Sequence, residues 1–509
     1  MVKMGVFQAQ RMQVIPDELA SAAKDVGNIG TRLEEAHALA ALPTSSIVPA
    51  GADEVSAAIA PLFNSYSTTF QEAAAQGAAF HLRFTQLLGA AGAAFTGTEQ
   101  AALQALRDVI SELESPLAPF FASKIISGTS TAPTNIPPLV VPQNGSVALI
   151  MGGTTFPLPD SRYVSSIMNN YLNNPRFSPL TGALSQSIYT PEQLWPFTPQ
   201  LGNLTLGQST FQGVQLLNDD INAELSAGNK VVVYTTSQGA LVATIEIRNY
   251  MAMPNPPDPS KLSFFLTGDL GNPDGGLFER FPGFYIPFWD VLLNGATPPN
   301  SPYPTVILSN QYDVAANFPR YVLNPVSDVN AVMGFLEFHG THDYVDPTPT
   351  QVGTAIQLPT SPGYTGNTTY YERLTQDLPL LWPLRMLPAP FGNALADLLQ
   401  PDLRVLVDMG YGSGEYANLP TPASLFELPD PFTIVPALAN GAIQGPQAAL
   451  VDLGLLPASM MPTGYPFNPE LNPDLNFPLP QSPVTVISLL TGSEGELMRL
   501  LGQIPSWDS

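Results

Sequence analysis

Apolar residues recur every three or four positions in two long stretches near the start of the chain. The first stretch covers residues 16–42 and the second covers about residues 53–88. This spacing places the apolar side chains on one face of each segment and predicts two long helices. The short connection between them favours an antiparallel helical hairpin. Pro61 should kink the second helix near its first turns.

Two helices alone have too little structure to cover the apolar faces of this hairpin. We therefore expect it to dock against the rest of this chain or against helices of another chain. A third helical stretch, about residues 98–113, leads into a segment rich in Pro, Ser and Thr. Such a composition is typical of a linker.

The pattern changes at Ser146, where short apolar and β-branched runs begin to alternate with helical spacing. These runs are residues 146–151, 229–234, 262–268 and 304–310. Strands separated by helices indicate βαβ units and an α/β fold with a mostly parallel sheet. After about residue 347 the chain is Pro-rich, and we predict irregular structure there with one possible strand at residues 401–412.

The composition excludes several classes of function. With 18 Lys and Arg against 42 Asp and Glu, the net charge is −24, and nucleic-acid binding is not expected. The absence of cysteine rules out disulfides, thiolate metal sites and a cysteine nucleophile. We find no cleavable signal peptide and no apolar run long enough for a transmembrane helix, so composition alone favours the cytoplasm.

The chain has four histidines: His37, His81, His339 and His342. Any catalysis that depends on histidine must use one of them. A metal site built from several imidazoles is nearly excluded, because only His339 and His342 are close in sequence. We expect neither a bound metal nor a cofactor.

The strongest chemical signal surrounds Ser237. A predicted strand ends just before this serine, and a predicted helix starts directly after it. A serine nucleophile on a tight strand-to-helix turn occupies this context in Gly-x-Ser-x-Gly motifs. Gly239 matches the second glycine, whereas Thr235 replaces the first. The backbone N–H of Gln238 would then face the oxyanion that develops during attack.

A serine nucleophile needs a base and an acid, in the chain order Ser, Asp, His. After Ser237 the only histidines are His339 and His342. Asp313 directly follows a predicted strand, at the sheet edge where functional residues collect. Asp328 and Asp343 compete with Asp313 for the role of the acid.

Paired glycines follow the first predicted strand of the α/β region. The loop at residues 152–155 could supply a second oxyanion donor, the N–H of Gly153 or Thr154, because glycines let a backbone approach a ligand. A plain turn is the alternative. Without a following Gly-Lys-Ser/Thr, the loop is not a phosphate-binding loop.

Two parts of the chain resemble a known family. Residues 51–60 and 79–84 look like the PE domain of mycobacterial PE proteins, and residues 95–99 occupy the place of that family's Tyr-x-x-x-Asp/Glu secretion signal. Residues from about 146 to 412 resemble the PE-PPE domain, a serine α/β-hydrolase. The features shared with that domain are the Gly-Gly-Thr loop, the Ser-Gln elbow, Tyr312-Asp313, and residues 318–320, 339–341 and 402–406.

The resemblance implies four regions along the chain. They are a PE helical hairpin at residues 1–100, a helix and linker at 101–145, a PE-PPE α/β-hydrolase domain at 146–412, and a Pro-rich extension at 413–509. The resemblance also implies type VII secretion without a cleaved signal. Phe95 and Glu99 would carry that signal, with Phe95 in place of tyrosine. A PPE-family partner for the hairpin and a location in the cell envelope are further implications.

For the site, the resemblance implies Ser237 as nucleophile, Asp313 as acid and His339 as base, with His342 as the second choice. The implied function is an esterase or acyltransferase that acts on acyl esters, including trehalose-based envelope lipids. The alternative is a catalytically inactive surface protein that keeps the hydrolase fold. Thr235 and His342 are the departures from the family pattern that favour this alternative.

Overall fold

The computed structural model describes residues 136–505, with some gaps, and ten separate positions before residue 136. The gaps are residues 178–179, 340–343, 413–415, 472, 478–481 and 501. The early positions are helical, but the predicted hairpin as a whole lies outside the described residues, as do His37, His81, Phe95, Glu99, His342 and Asp343. The chain divides into two compact units, residues 1–125 and 126–509.

A central sheet organises the second unit. The described strands are β1 Ser146–Ile150, β2 Leu184–Ser187, β3 Lys230–Thr236, β4 Leu262–Thr267, β5 Tyr285–Ile286, β6 Val291–Leu292, β7 Thr305–Asn310, β8 Ile356–Gln357 and β9 Thr368–Arg373. Seven of them pair in the order β2-β1-β3-β4-β7-β9-β8, all parallel except β8, and β5 pairs with β6 separately.

Helices lie between the strands and along the C-terminal part. The described α-helices are α1 Ser161–Ile167, α2 Leu206–Ser226, α3 Gln238–Ala252, α4 Leu277–Arg280, α5 Pro325–Phe338, α6 Pro349–Gly353, α7 Trp382–Arg385, α8 Phe391–Asp408, α9 Pro431–Asp452 and α10 Val486–Leu500. Helices α2 and α3 pack on one face of the sheet. Helix α1 packs on the other face.

Burial on both faces explains why the central strands are continuously apolar. Val233 of β3 belongs to the core on one face, whereas Val232 and Tyr234 belong to the core on the other. Each fully buried large apolar side chain contributes about 1.5–3 kcal/mol of transfer free energy. The strands predicted at the four apolar runs are confirmed as β1, β3, β4 and β7, and the α/β class with a mostly parallel sheet is also confirmed.

The prediction for the chain after residue 347 was wrong in two respects. This region adds β9 to the central sheet and contains several helices, including α8 and α9. The possible strand at residues 401–412 forms the end of α8 and the turn after it. A short apolar run does not distinguish a strand from a buried helix, and Pro401 within α8 suggested a break that tertiary packing overrides.

The C-terminal extension packs on the helix that precedes it. Val405 of α8 forms a buried cluster with Ile434 and Ala437 of α9 and with Leu475. Within the part of the chain that the structure describes, no helix has the length and hydropathy needed to cross a membrane.

Candidate active site

Ser237 occupies the turn between β3 and α3. Its backbone has φ 54° and ψ −121°, a conformation that is rare for residues other than glycine. The turn is held by a hydrogen bond from the Ser237 N–H to the carbonyl oxygen of Thr267, at 3.0 Å. The serine therefore sits at the carboxyl end of a central strand and at the N-terminus of a 15-residue helix.

Two glycines make this turn possible. A Cβ on Gly239 would lie 2.0 Å from Thr235 Oγ1 and 2.3 Å from the carbonyl oxygen of Gly152. A Cβ on Gly153 would lie 2.7 Å from the carbonyl oxygen of Thr236 and 3.1 Å from Ser237 Cβ. Thr235 is fully buried, and the missing side chain of Gly239 leaves the space that its hydroxyl fills. The threonine in place of the first elbow glycine is thus accommodated.

The structure brings Ser237, His339 and Asp313 into one hydrogen-bonded series. His339 Nε2 lies 2.7 Å from Ser237 Oγ, and His339 Nδ1 lies 2.7 Å from Asp313 Oδ2. His339 caps the C-terminus of α5, and Asp313 follows β7. The side chains of His339 and Asp313 are only 9% and 0% exposed. A proton on Nδ1, donated to the carboxylate, leaves Nε2 free to accept the serine proton.

Among the competing acids, Asp328 does not join this series. Its Oδ1 has no hydrogen-bond partner among the described residues, and burial raises its pKa to about 6. Asp343 and the second candidate base, His342, lie outside the described residues. The geometry therefore supports Asp313 and His339 as the pair that faces Ser237.

Tyr344 is a residue of the site that the sequence reasoning missed. Its hydroxyl donates a 2.7 Å hydrogen bond to Asp313 Oδ2 and accepts one of 2.9 Å from the N–H of Asn310. Its ring contacts His339 edge-on, with centroids 5.8 Å apart. Burial and the charge of Asp313 hold the pKa of Tyr344 well above its usual value, so the hydroxyl stays protonated. No motif pointed to it, because the contact with Asp313 spans 31 residues.

Replacing Tyr344 with phenylalanine should lower kcat about tenfold and leave KM nearly unchanged, because Asp313 loses one of its two donors on Oδ2. The N–H of Asn310 also loses its acceptor, so the free energy of unfolding should fall by about 1–3 kcal/mol. Ester hydrolysis and urea denaturation measure the two effects. A wild-type kcat in this variant would show that the hydroxyl does not orient the acid.

The predicted oxyanion residues lie next to the serine. Gln238 is in the first turn of α3, where backbone N–H groups have no partner within the helix. Among the described residues, none accepts a hydrogen bond from the N–H of Thr154. Gly153 packs directly against the Ser237 turn. Two backbone donors near the serine, one in α3 and one in the loop after β1, are thus candidates for stabilising a developing oxyanion.

The side chain of Gln238 makes hydrogen bonds to three other segments of the chain. Its Oε1 accepts a 2.8 Å hydrogen bond from Thr154 Oγ1, and its Nε2 donates to Ser209 Oγ at 2.7 Å and to the carbonyl oxygen of Gln193 at 3.2 Å. Gln238 is buried. These contacts fix the loop after β1 relative to the helix that follows the serine.

The same loop is hydrogen-bonded to the backbone of Glu192, whose carboxyl group is buried. The N–H of Thr155, whose φ is 78°, donates a 3.0 Å hydrogen bond to the carbonyl oxygen of Glu192, whose φ is 46°. Glu192 is 1% exposed, and one of its carboxyl oxygens has no hydrogen-bond partner among the described residues. Burial raises the pKa of Glu192 to about 8, against a weaker opposing effect of the Thr190 hydroxyl.

This carboxyl group should make stability depend on pH. Because the folded pKa of Glu192 lies above its unfolded value, folding favours the protonated form, and stability is lost as pH rises from about 4.5 through about 8. Replacing Glu192 with glutamine should raise Tm at pH 8.5 and change it little at pH 4.5. Calorimetry at both pH values measures this, and an equal effect at both would contradict the assignment.

An open groove lies between Phe156, near the loop after β1, and the segment that follows Tyr344. Phe156, which follows the loop after β1, lines it together with Tyr163 and Val345, and Val345 directly follows Tyr344. The ion pair between Arg162 and Asp346, 2.5 Å long, lies at its exposed edge. Asp160 and Ser166 complete the lining, so the groove combines an apolar part with a polar, charged part. Among the described residues, no cluster of His, Asp or Glu side chains could hold a metal ion.

Comparisons with known proteins find sequence relatives of both parts of the chain. The PE family pattern matches residues 12–102, and the PE-PPE domain pattern matches residues 181–412. "PE family protein PE3" from Mycobacterium tuberculosis is 48% identical over 491 residues, which cover 96% of this chain and 98% of that protein. "Esterase PE16" from the same species is 40% identical over 440 residues, covering 86% and 76% respectively.

A cutinase-like protein from Cryptococcus sp. is a structural match with a TM-score of 0.23 and 15% identity, over 37% of this chain and 82% of that chain. The similarity of sequence is far stronger, and it extends over nearly the whole chain. The protein is therefore a member of the PE family with a C-terminal PE-PPE domain.

Proposed function

We propose that this protein is a serine esterase or acyltransferase that acts on acyl esters through Ser237, His339 and Asp313. The observation that carries the proposal is the continuous hydrogen-bonded series between these side chains, with 2.7 Å at each of its two steps. The relative named an esterase supports the same chemistry. The alternative, an inactive surface protein, has no support from this geometry, since Thr235 fits the turn and His339 faces the serine.

The proposed reaction has two halves. In the first, Ser237 Oγ attacks the ester carbonyl carbon while His339 Nε2 takes the serine proton, and Asp313 stabilises the imidazolium through Nδ1. The carbonyl oxygen becomes an oxyanion, stabilised by the N–H groups of Gln238 and of Thr154 or Gly153. The carbon–oxygen bond to the alcohol then breaks, and His339 returns the proton to the leaving alcohol.

In the second half, the acyl group leaves Ser237. Water or a second alcohol attacks the acyl-enzyme while His339 takes its proton, and the serine hydroxyl is restored when that proton returns. Water gives hydrolysis, and a sugar hydroxyl gives acyl transfer. The apolar part of the groove, at Phe156, Tyr163 and Val345, supports an acyl ester or a glycolipid as substrate, because apolar surface favours acyl chains.

Location and partners form a second part of the proposal. The PE family match over residues 12–102 supports a helical hairpin that pairs with a PPE-family protein. Export by type VII secretion to the cell envelope would use Phe95 and Glu99. The full-length chain should co-purify with its PPE partner after co-expression, and exchanging Phe95 and Glu99 for alanine should reduce its export. Unchanged export of this double variant would contradict the role of these two residues.

A fluorophosphonate probe tests the enzymatic proposal. The probe should label the full-length protein, and mass spectrometry should find the label on the peptide that contains Ser237. The protein should also hydrolyse p-nitrophenyl acyl esters. Adding trehalose to the trapped acyl-enzyme distinguishes transfer from hydrolysis, because transfer yields an acylated sugar. Labelling at another serine, or no labelling and no hydrolysis, would overturn the proposal.

A further inference from the structure

Tyr312, the residue before Asp313, adopts an unusual backbone conformation. Its φ is 68°, and the residue is 1% exposed. Its backbone packs closely against α5, since a Cβ on Gly334 would lie 2.0 Å from the Tyr312 carbonyl oxygen. The direction in which the chain enters Asp313 therefore depends on how Tyr312 is held.

The side chain of Tyr312 is fixed by α8. Its hydroxyl donates a 2.6 Å hydrogen bond to Asp408 Oδ1 and accepts a 3.2 Å hydrogen bond from Arg404 Nη1. Arg404 also donates to the carbonyl oxygens of Thr375 and Gln376. Thr375 in turn donates from its N–H and hydroxyl to the side chain and carbonyl oxygen of Gln311, the residue before Tyr312.

The second oxygen of Asp408 is occupied by the C-terminal extension. Tyr465 Oη donates a 3.0 Å hydrogen bond to Asp408 Oδ2. Tyr465 lies beyond residues 181–412, the part of the chain that matches the PE-PPE domain. It is anchored by Gln444 of α9, which donates to the Tyr465 carbonyl oxygen at 3.3 Å and accepts from the Phe467 N–H at 2.9 Å.

We propose that Tyr465 and Asp408 are positioning residues for the acid of the site: through the hydroxyl of Tyr312 they hold the turn that directs Asp313 toward His339. The extension thereby completes a site whose reacting groups all lie in the preceding domain. An effect of Tyr465 on kcat rests on the proposed function. An effect of Tyr465 on the hydrogen bond between His339 and Asp313 does not.

Geometry and charge support this assignment. Asp408 is 3% exposed, and its two oxygens accept hydrogen bonds from different tyrosines, one on each side. Burial raises the pKa of Asp408 to about 6, while Arg404 and the two hydroxyls oppose the shift. At neutral pH the carboxylate is therefore mostly ionised and accepts from both hydroxyls. Without Tyr465, Asp408 loses the donor that fixes its rotation, and Tyr312 loses a fixed acceptor.

Tyr411 offers a matched control. Its ring packs against Tyr312, with centroids 5.4 Å apart, but its hydroxyl has no hydrogen-bond partner among the described residues. Replacing Tyr411 with phenylalanine removes an oxygen from the same region without removing a hydrogen bond of this series. The comparison of Y465F with Y411F thus separates the loss of a hydrogen bond from the loss of a hydroxyl.

The experiment uses the full-length protein and two readouts. In Y465F, kcat for a p-nitrophenyl ester, per active site titrated with fluorophosphonate, should fall about tenfold with KM unchanged. The acid limb of the kcat/KM profile should move to lower pH, because a displaced Asp313 stabilises the imidazolium of His339 less. Y312F should show the same changes more strongly, and Y411F should match the wild type.

The second readout needs no turnover. The low-field proton resonance of His339 Nδ1–H, assigned by its loss in a His339→Gln variant, should shift in Y465F and Y312F but not in Y411F. If the wild type lacks esterase activity, this resonance alone decides the positional claim, and only the proposed function fails. A resonance and kcat in Y465F equal to those of Y411F would overturn the inference, even where both variants lose thermal stability.

Discussion

Replacing Ser237 with alanine should lower the kcat for ester hydrolysis by roughly 10⁴-fold to 10⁶-fold. The attacking oxygen is lost, and His339 Nε2 has no other nucleophile to deprotonate than water. In the proposed mechanism the ester binds through the groove and the oxyanion donors, so KM should change far less than kcat. Fluorophosphonate labelling should disappear in parallel. Initial rates with a p-nitrophenyl ester and in-gel fluorescence measure the two effects.

Ser493 provides the control for this substitution. Its hydroxyl donates only within α10, to the carbonyl oxygen of Leu489 at 2.7 Å, and the residue is exposed. Ser493→Ala should keep wild-type turnover and labelling. If Ser237→Ala retained more than about a hundredth of the wild-type kcat, well above the residual expected after loss of a nucleophile, the serine mechanism would be wrong.

Replacing Asp313 with asparagine should lower kcat by about 10⁴-fold. Oδ2 accepts hydrogen bonds from His339 Nδ1 and Tyr344 Oη, while Oδ1 accepts one from the N–H of Ala315. An amide cannot accept at both positions, so either of its orientations places the NH₂ group against a donor. The negative charge that stabilises the imidazolium is lost in either orientation. Steady-state kinetics across pH 5–9 measures the loss.

Asp328→Asn is the matched control, because Asp328 was the competing acid and its Oδ1 has no hydrogen-bond partner among the described residues. It should keep kcat within about twofold of the wild type, as expected for a carboxyl group outside the series. A larger loss in Asp328→Asn than in Asp313→Asn would reverse the assignment of the acid. Equal thermal unfolding of both variants would show that the kinetic difference is not a folding effect.

Four of the parallel strands, β1, β3, β4 and β7, were predictable from the sequence because each is buried on both faces. A continuous apolar run such as residues 231–234 indicates a buried strand when a helical pattern follows it. The serine turn was predictable for the same reason, since strand, serine, glycine and helix follow one another within a few residues. The scarcity of histidine then reduced the choice of base to His339 and His342.

The later part of the fold was not predictable by these rules. Strand β9 is flanked by Pro-rich segments, and it joins the sheet through pairing with β7, which lies about 60 residues earlier. Helix α9 contains Pro436 and Pro446, each of which local rules take as a break. Packing against α8 through Val405 and Ile434 stabilises it nevertheless. Such long-range contacts leave no periodic signal in a single sequence.

The hydrogen-bond partners of Asp313 and of Tyr312 were missed for a similar reason. Tyr344 is 31 residues from Asp313, and Asp408 is 96 residues from Tyr312, so no spacing rule relates either pair. A tyrosine in a buried segment is usually a core residue. A role can be assigned to its hydroxyl only when the hydrogen-bond acceptor is known. Sequence reasoning led to the three groups of the proposed mechanism, whereas the structure adds the hydrogen-bond partners around them.

The contact between Thr235 and Gly239 also constrains how this sequence can change. A side chain at residue 239 is blocked twice, by Thr235 Oγ1 at 2.0 Å and by the carbonyl oxygen of Gly152 at 2.3 Å. Glycine at residue 235 would remove the first obstacle but not the second. The two positions therefore constrain each other unequally. Glycine at residue 239 leaves space for a side chain at residue 235, but no substitution at residue 235 alone makes space for a side chain at residue 239.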